Sequence, residues 1–412
     1  MAENLNNPRL GIGHRPIGHA FLNDPQPPVK IALITRRYPP LIGGAEKVLS
    51  YLAPAFASEG AEVTVLTSWP PGMELPETET HVSGNDALTI VRLPTSRFRF
   101  LGTALYMRNL RRWLATHDVD IAYVSMLKHD AFVAVGEGHR RGFPVVLRPE
   151  GAGKTGDIAW QKWGRFGKGI TERCKTADAF VSISQGVTEE LTKAGYDPAK
   201  IRPLPNGVPI PDHPWNRRPN WREAPRASYL GRLAPEKGLD LLIDAWPAVR
   251  LVFPNARLTI VGEGPERPGL EARVRRLGLN ESVELPGTSD DPNAVLRTSD
   301  LFILPSREEG MSIALLEAMA LGIPLVATSI AGNRRVIQPF KHGRLVVSED
   351  PVALARGIID QWTTFDRAFQ MSREARRRIQ NEFSIGAVAR RHLELFRSLL
   401  SQPSNFGSRP PC

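Results

Sequence analysis

The chain has 412 residues and only two cysteines, Cys174 and Cys412. Two thiols cannot make a disulfide framework or a cysteine-based zinc cluster, and they suit a reducing compartment. No apolar run reaches the roughly 20 residues that a membrane-crossing helix needs. Residues 1–28 are rich in Asn, Pro, Gly and His and lack the apolar stretch of a signal peptide. They are expected to form a flexible arm, and 403–412 a flexible tail. Zinc-finger spacing and an aromatic RNP motif are also missing, so nucleic acid is not an expected partner.

What is present is a globular composition with surplus cations. Apolar residues make up 42% and charged residues 23%, enough to fill the cores of two α/β domains. Lys and Arg number 53 against 43 Asp and Glu, a formal net charge of +10. Such a surface attracts polyanions, here phosphorylated substrates or an anionic membrane face.

Strand-like and helix-like patterns alternate along the whole chain, as in parallel sheets covered by helices. Strands are expected at 29–35, 63–67, 88–93, 121–124, 145–147 and 179–183. A second series falls at 226–230, 257–261, 283–285, 301–304, 325–327 and 344–347. Between the two series lies 209–225, rich in proline and without periodicity, the best linker candidate. The expected organisation is a Rossmann-like domain over 29–208, a linker over 209–225, and a second Rossmann-like domain over 226–383. A helix over 384–402 follows, with Ser384 as its N-cap. Ligands of open α/β sheets bind at the carboxyl ends of strands, which places the candidate site in the cleft between the two domains.

Three loops at strand ends carry the chemistry. The first, 231–238, begins and ends with Gly231 and Gly238 and holds Arg232 and Lys237. A planar fork and a point charge on one loop suit a diphosphate. The second follows strand 301–304. Glu309 and Glu317 stand in the pattern E-x7-E, about 12 Å apart along a helix axis. The amides of Gly310, Met311 and Ser312 are expected to open that helix and face phosphate. Leu315, Leu316, Ala318 and Met319 make the helix apolar, so the Glu317 carboxylate needs a partner. The third loop, Gly262, Glu263 and Gly264, is a lone G-x-G and is informative only in this company. In the first half, Gly43 and Gly44 precede a helix reaching about residue 58, where the backbone can approach a diphosphate or an acceptor. Asp118 and Asp120 have the D-x-D form of a metal site. They precede a strand and are read as a turn cap, and no metal is expected.

Taken together, these motifs resemble family 4 of the retaining nucleotide-sugar glycosyltransferases, over about 29–400. The resemblance implies the GT-B fold, two Rossmann-like domains facing across a cleft with a C-terminal helix returning to the first. It implies transfer of a sugar from a nucleotide-diphosphate sugar to an acceptor hydroxyl, without a metal or other cofactor. Arg232, Lys237 and Glu309 would be the catalytic residues. Glu317 would hold the ribose, Glu309 the transferred sugar, and Gly262–Gly264 the region of the base. Attack would come from the leaving-group face, a phosphate oxygen taking the proton. The acceptor would be a glycan, a lipid or a small molecule, bound by the first domain.

The first domain departs from the family pattern. Tyr123, Val124 and Ser125 stand where H-x-H is common, and Glu150-Gly151 where His-Gly is common. Glu150, Lys154 and His129 are the substitute contacts for acceptor or sugar. The missing histidines keep open a non-catalytic sugar-nucleotide-binding protein; a sugar-nucleotide epimerase of the same fold is the other alternative. A cytoplasmic protein is expected. Cations and aromatics mixed over 97–113 and 160–168 offer a second, peripheral partner in an anionic membrane surface; an ordinary amphipathic helix with a basic outer face would read the same way.

Overall fold

The computed structural model describes residues 27–40, 44–69, 72–83, 86–151, 153, 156–216, 222–289 and 291–402. Gly43 and Lys154 lie outside them.

Strands covered on both faces are near-continuously apolar. Those of the first half, β1 (Lys30–Ile34), β2 (Glu62–Ser68), β4 (Asp86–Leu93), β5 (Ile121–Ser125), β6 (Val145–Arg148), β7 (Ala179–Ser182) and β8 (Ile201–Pro203), pair in parallel. The exception is β3 (Thr78–Ser83), antiparallel to β4 at the edge. The sheet order is β3-β4-β2-β1-β5-β6-β7-β8. The second half forms an all-parallel sheet of β9 (Arg226–Leu230), β10 (Arg257–Val261), β11 (Val283–Gly287), β12 (Leu301–Leu304), β13 (Leu325–Thr328) and β14 (Arg344–Val346). Its order is β11-β10-β9-β12-β13-β14. The chain reverses direction across each sheet once, between β1 and β5 and between β9 and β12. Such switch points open a crevice at the strands' carboxyl ends. The loops after β9 and β12 flank one switch point; those after β1 and β5 flank the other.

Five helices of the first lobe matter below: α1 (Gly44–Ser58), α2 (Arg99–Thr116), α3 (His129–Arg141), α4 (Asp157–Trp163) and α5 (Gly167–Lys175). In the second lobe, helix Leu239–Val252 runs out of the 231–238 loop. Its Trp246 packs edge-on against Trp362, ring centroids 6.2 Å apart, and both are buried. Burying each such side chain is worth about 2–3 kcal/mol, which fixes the direction of the helix.

The C-terminal helix Ile385–Leu400 returns to the first lobe, as the fold class implies. Phe396 packs on Phe56 of α1 at 5.7 Å, and the buried His392 meets the Tyr123 hydroxyl at 3.2 Å. Ser384 occupies the N-cap position but makes no side-chain cap bond. The basic helix Phe365–Arg378 widens at its end into a π-turn, Ile379–Phe383. The proline-rich connection is pinned by Trp215, which is buried, donates from Nε1 to Ser299 O at 2.7 Å, and packs on Phe365 and Phe369.

Candidate active site

The loop after β9 turns through the short 3-10 turn Pro235–Lys237 and enters its helix at Gly238. Gly238 sits at φ 64°, and a β-carbon there would lie 2.3 Å from the Pro305 carbonyl oxygen. Only glycine allows this approach, which brings the 231–238 loop against the loop after β12. Arg307 completes the junction. It grips Asp240 with both terminal nitrogens (2.7 and 2.8 Å), donates to Pro235 O, and pairs with Glu349 at 2.7 Å. The bond and charge of Arg307 outweigh partial burial and hold the Asp240 carboxyl below its usual range.

This packing puts Lys237 Nζ 2.8 Å from Glu309 Oε1. Ser306 Oγ donates to the same oxygen at 2.8 Å. The Glu309 side chain is 8% exposed and that of Lys237 20%, so the pair lies in the wall of the crevice rather than in bulk water. Arg232, on the same loop, is mostly exposed and donates to Glu236 Oε1 at 2.6 Å. Burial raises the Glu236 carboxyl, but Arg232, a backbone bond and Lys237 together lower it further. The third loop lies alongside. Gly262 (φ 142°) leaves no room for a β-carbon, which would meet Gly231 O at 1.9 Å. Leu233 N donates to Glu263 O at 2.9 Å, while the Glu263 side chain turns outward to Arg267 at 2.6 Å.

The helix after β12 is Ile313–Leu321, with Ser312 as its N-cap and Ser312 Oγ accepting from Leu315 N at 3.4 Å. This corrects the expectation that Gly310, Met311 and Ser312 open the helix. A serine hydroxyl satisfies a first-turn donor best from outside the helix, so these three amides belong to the preceding loop. Glu317 is 6% exposed on this almost wholly buried helix and has partners from the other lobe. Lys47 Nζ lies 2.6 Å from Oε1 and 2.8 Å from Oε2, and the Tyr51 hydroxyl donates to Oε1 at 2.7 Å. Burial first, then the Glu317 charge, pushes the Tyr51 phenol up. Lys47 and Tyr51 stand one turn apart on α1, directly after Gly44.

The lobes also meet beside these loops. Asn206 accepts from buried Arg148 at 2.6 Å and lies 3.5 Å from Met311 O. Glu308, next to Glu309, faces Gly153, where a β-carbon would lie 3.4 Å from its carboxylate. In the first lobe, Ser125 Oγ donates to Glu150 Oε1 at 2.6 Å, and Glu150 N donates to buried Asp157 at 2.9 Å. His129 stands edge-on to Trp160 at 5.4 Å, its pKa lowered by burial and then by Arg36 and Lys128. Beneath Arg36, 4.0 Å away, is Asp130, whose carboxyl is pushed up to about 6 by burial.

Two family models match the chain in tandem: "Glycosyltransferase Family 4" over residues 42–212 and "Glycosyl transferases group 1" over 224–363. The chain belongs to family 4 of the glycosyltransferases. An uncharacterized glycosyltransferase of Methanocaldococcus jannaschii is 28% identical over 360 residues, covering 80% of this chain and 88% of that protein. A phosphatidyl-myo-inositol mannosyltransferase of Mycobacterium leprae is 28% identical over 349 residues, covering 77% and 83%. Among solved structures, sucrose-phosphate synthase of Thermosynechococcus elongatus superposes with TM-score 0.75 at 22% identity, covering 90% of this chain and 99% of that one. The glycosyltransferase thus has the GT-B fold, and its activity is glycosyl transfer from a nucleotide sugar; neither the epimerase nor the binding-only alternative is favoured.

Of the residues the sequence singles out, Gly231, Arg232, Lys237, Glu309 and Gly310 gather where the β9 and β12 loops meet, with Glu317 on the helix behind. Gly262 and Gly264 back them. Glu150 and His129 sit opposite, at the ends of β6 and β5. Sequence reasoning missed Lys47, Tyr51, Ser306 and Arg307, which contact these residues or their loops, and the Arg36–Asp130 pair beside His129.

Proposed function

We propose that the transferase works with retention, without a metal, and that the 231–238 and 305–317 loops hold the donor. The observation that carries this reading is the Lys237–Glu309 contact of 2.8 Å on the wall of the crevice. When the bond between the anomeric carbon and the diphosphate breaks, negative charge grows on the departing oxygen and positive charge on the sugar ring. Lys237 and Arg232 are fixed cations on one loop, and such preorganised charge stabilises a leaving diphosphate most where water is scarce. Glu309, bonded to Lys237 and Ser306, is oriented to accept from the hydroxyls of the transferred sugar and turn its anomeric carbon to the acceptor. Glu317 serves the ribose. The acceptor hydroxyl forms the new bond on the face the diphosphate leaves, and its proton passes to a phosphate oxygen. Every bond and proton is accounted for without a protein nucleophile.

The acceptor is a glycan, lipid or small molecule held by the first lobe, where Glu150 and His129 face the crevice. The reading extends to a cytoplasmic enzyme with peripheral membrane contact. Cys174 is a buried free thiol, which fits a reducing compartment. Among the described residues no helix is long and apolar enough to cross a membrane.

The test is turnover of UDP-, GDP- and ADP-sugars by the wild type, Lys237→Ala and Glu309→Ala. Both variants should lose transfer while remaining folded at the assay temperature. Wild-type transfer should persist in EDTA, and proton NMR should show product with the donor's anomeric configuration. Full turnover by both variants would falsify the assignment of the site.

A further inference from the structure

Helix α2 contains no Asp or Glu. Its inner face buries Tyr106, Leu110 and Leu114. Its outer face is apolar first and cationic later. Phe100 is 71% exposed, Leu101 64% and Leu105 36%, followed at helical spacing by exposed Arg108 and Arg112. An ordinary amphipathic helix turns polar residues to water; this one turns aromatic and aliphatic side chains outward.

A second segment joins it. At the α4–α5 turn, Trp163 is 72% and Phe166 68% exposed. Arg165 links the two: its guanidinium carbon is 5.4 Å from the Phe100 ring and 5.1 Å from the Phe166 ring. Phe98, 62% exposed, adds to the same end of α2. Sequence stretches about 60 residues apart therefore form one contiguous face, with Arg97, Lys162 and Lys168 exposed around it. Neither 94–114 nor 158–171 contains a carboxylate. A contiguous exposed apolar patch marks an interaction surface, and a rim dominated by cations selects an anionic partner.

The face adjoins the acceptor side of the crevice. Trp163 touches Trp160, ring centroids 6.2 Å apart, and Trp160 meets His129 and Lys128 at the end of β5. On α2, Thr103 accepts from Arg36 at 2.9 Å, beyond the end of β1.

We propose that this face docks the enzyme on the surface of an anionic bilayer, with Phe100, Leu101, Trp163 and Phe166 entering the head-group layer. Aromatic and aliphatic side chains on a basic face partition into the interfacial region, and each cation near the surface adds attraction that salt screens. Docked in this way, the enzyme turns the β1 and β5 ends toward the bilayer plane. An acceptor carried in the bilayer then reaches the crevice past Trp160. This deepens the peripheral reading above and rests on the transferase assignment only for the acceptor.

The test is flotation of the full chain with vesicles of phosphatidylcholine alone or mixed with phosphatidylglycerol, at low and high salt. The wild type should float with the anionic vesicles only, and less at high salt. The variant F100S/L101S/W163S/F166S should lose at least about tenfold in binding, given the apolar area withdrawn. Its unfolding midpoint and its stabilisation by the donor sugar should stay at wild-type values. No binding of the wild type to anionic vesicles, or equal binding by the variant, overturns the proposal. So does self-association of the wild type that the variant abolishes, since the face would then cover a second copy. Flotation does not require sugar transfer, so a protein that floats but turns over no nucleotide sugar refutes the transferase reading and leaves the docking face standing.

Discussion

Replacing Lys47 with methionine tests how the first lobe meets Glu317, the residue proposed to hold the ribose. Glu317 has room for about four hydrogen bonds, and Lys47 and Tyr51 supply three contacts at 2.6, 2.8 and 2.7 Å. A ribose diol needs two acceptor positions, so donor binding at Glu317 requires Lys47 or Tyr51 to withdraw. Methionine keeps the stem and removes the charge, leaving a carboxylate that is 6% exposed with one partner. Breaking a fully buried ion pair costs about 3–5 kcal/mol. Lys47 is 23% exposed, so solvent reaches the gap and the expected loss is about 2 kcal/mol. Donor binding moves the other way. The wild type gives up a charged hydrogen bond worth about 1.5 kcal/mol, and the variant does not, so its donor affinity should rise about tenfold. Urea unfolding of the unliganded protein and calorimetry with whichever UDP-, GDP- or ADP-sugar stabilises the wild type measure the two effects. A destabilised variant with weaker donor binding would refute the reasoning and make Lys47 itself a ligand of the donor.

Two other perturbations have defined outcomes. Burial raises the Asp130 carboxyl from 3.8 to about 6, against the opposing pull of Arg36 and Lys128. A carboxyl raised on folding contributes stability at pH below about 4 that is lost as pH rises through about 6. Asp130→Asn should therefore match the wild type near pH 4 and exceed it at pH 8 by up to about 3 kcal/mol; equal urea midpoints at pH 8 would contradict this. Gly238→Ala sets a left-handed β-carbon against Pro305 O, so it should cost at least about 1–2 kcal/mol. It should also weaken donor binding through the neighbouring Lys237, and wild-type stability would refute the tight approach of the two loops.

The parts of the fold legible in sequence are those set by burial. Strands covered on both faces read as apolar runs, and the two glutamates stand out because one precedes an apolar helix and the other lies within it. Edge strand β3 was not legible: its polar residues pair only with β4, and its one large apolar side chain, Val82, is 70% exposed. The need of Glu317 for a partner could be read; the partner could not, because Lys47 and Tyr51 lie 270 and 266 residues away and meet it only when the lobes pack. A signal did exist in a lysine and a tyrosine one turn apart on the largely apolar α1. Arg307 sat unnoticed beside Glu308 and Glu309, since its role in joining two loops depends on Asp240 and Glu349, supplied by other parts of the lobe. The aromatics of 97–113 and 160–168 were visible as two segments. Their merger through Arg165 is a tertiary fact.

Hydrogen exchange of the full chain with and without its donor sugar tests the shared crevice most directly. The account predicts that protection is gained at 231–238, at 305–317 and in the first turns of α1, and little elsewhere. A donor that binds while these three segments exchange as before would contradict it.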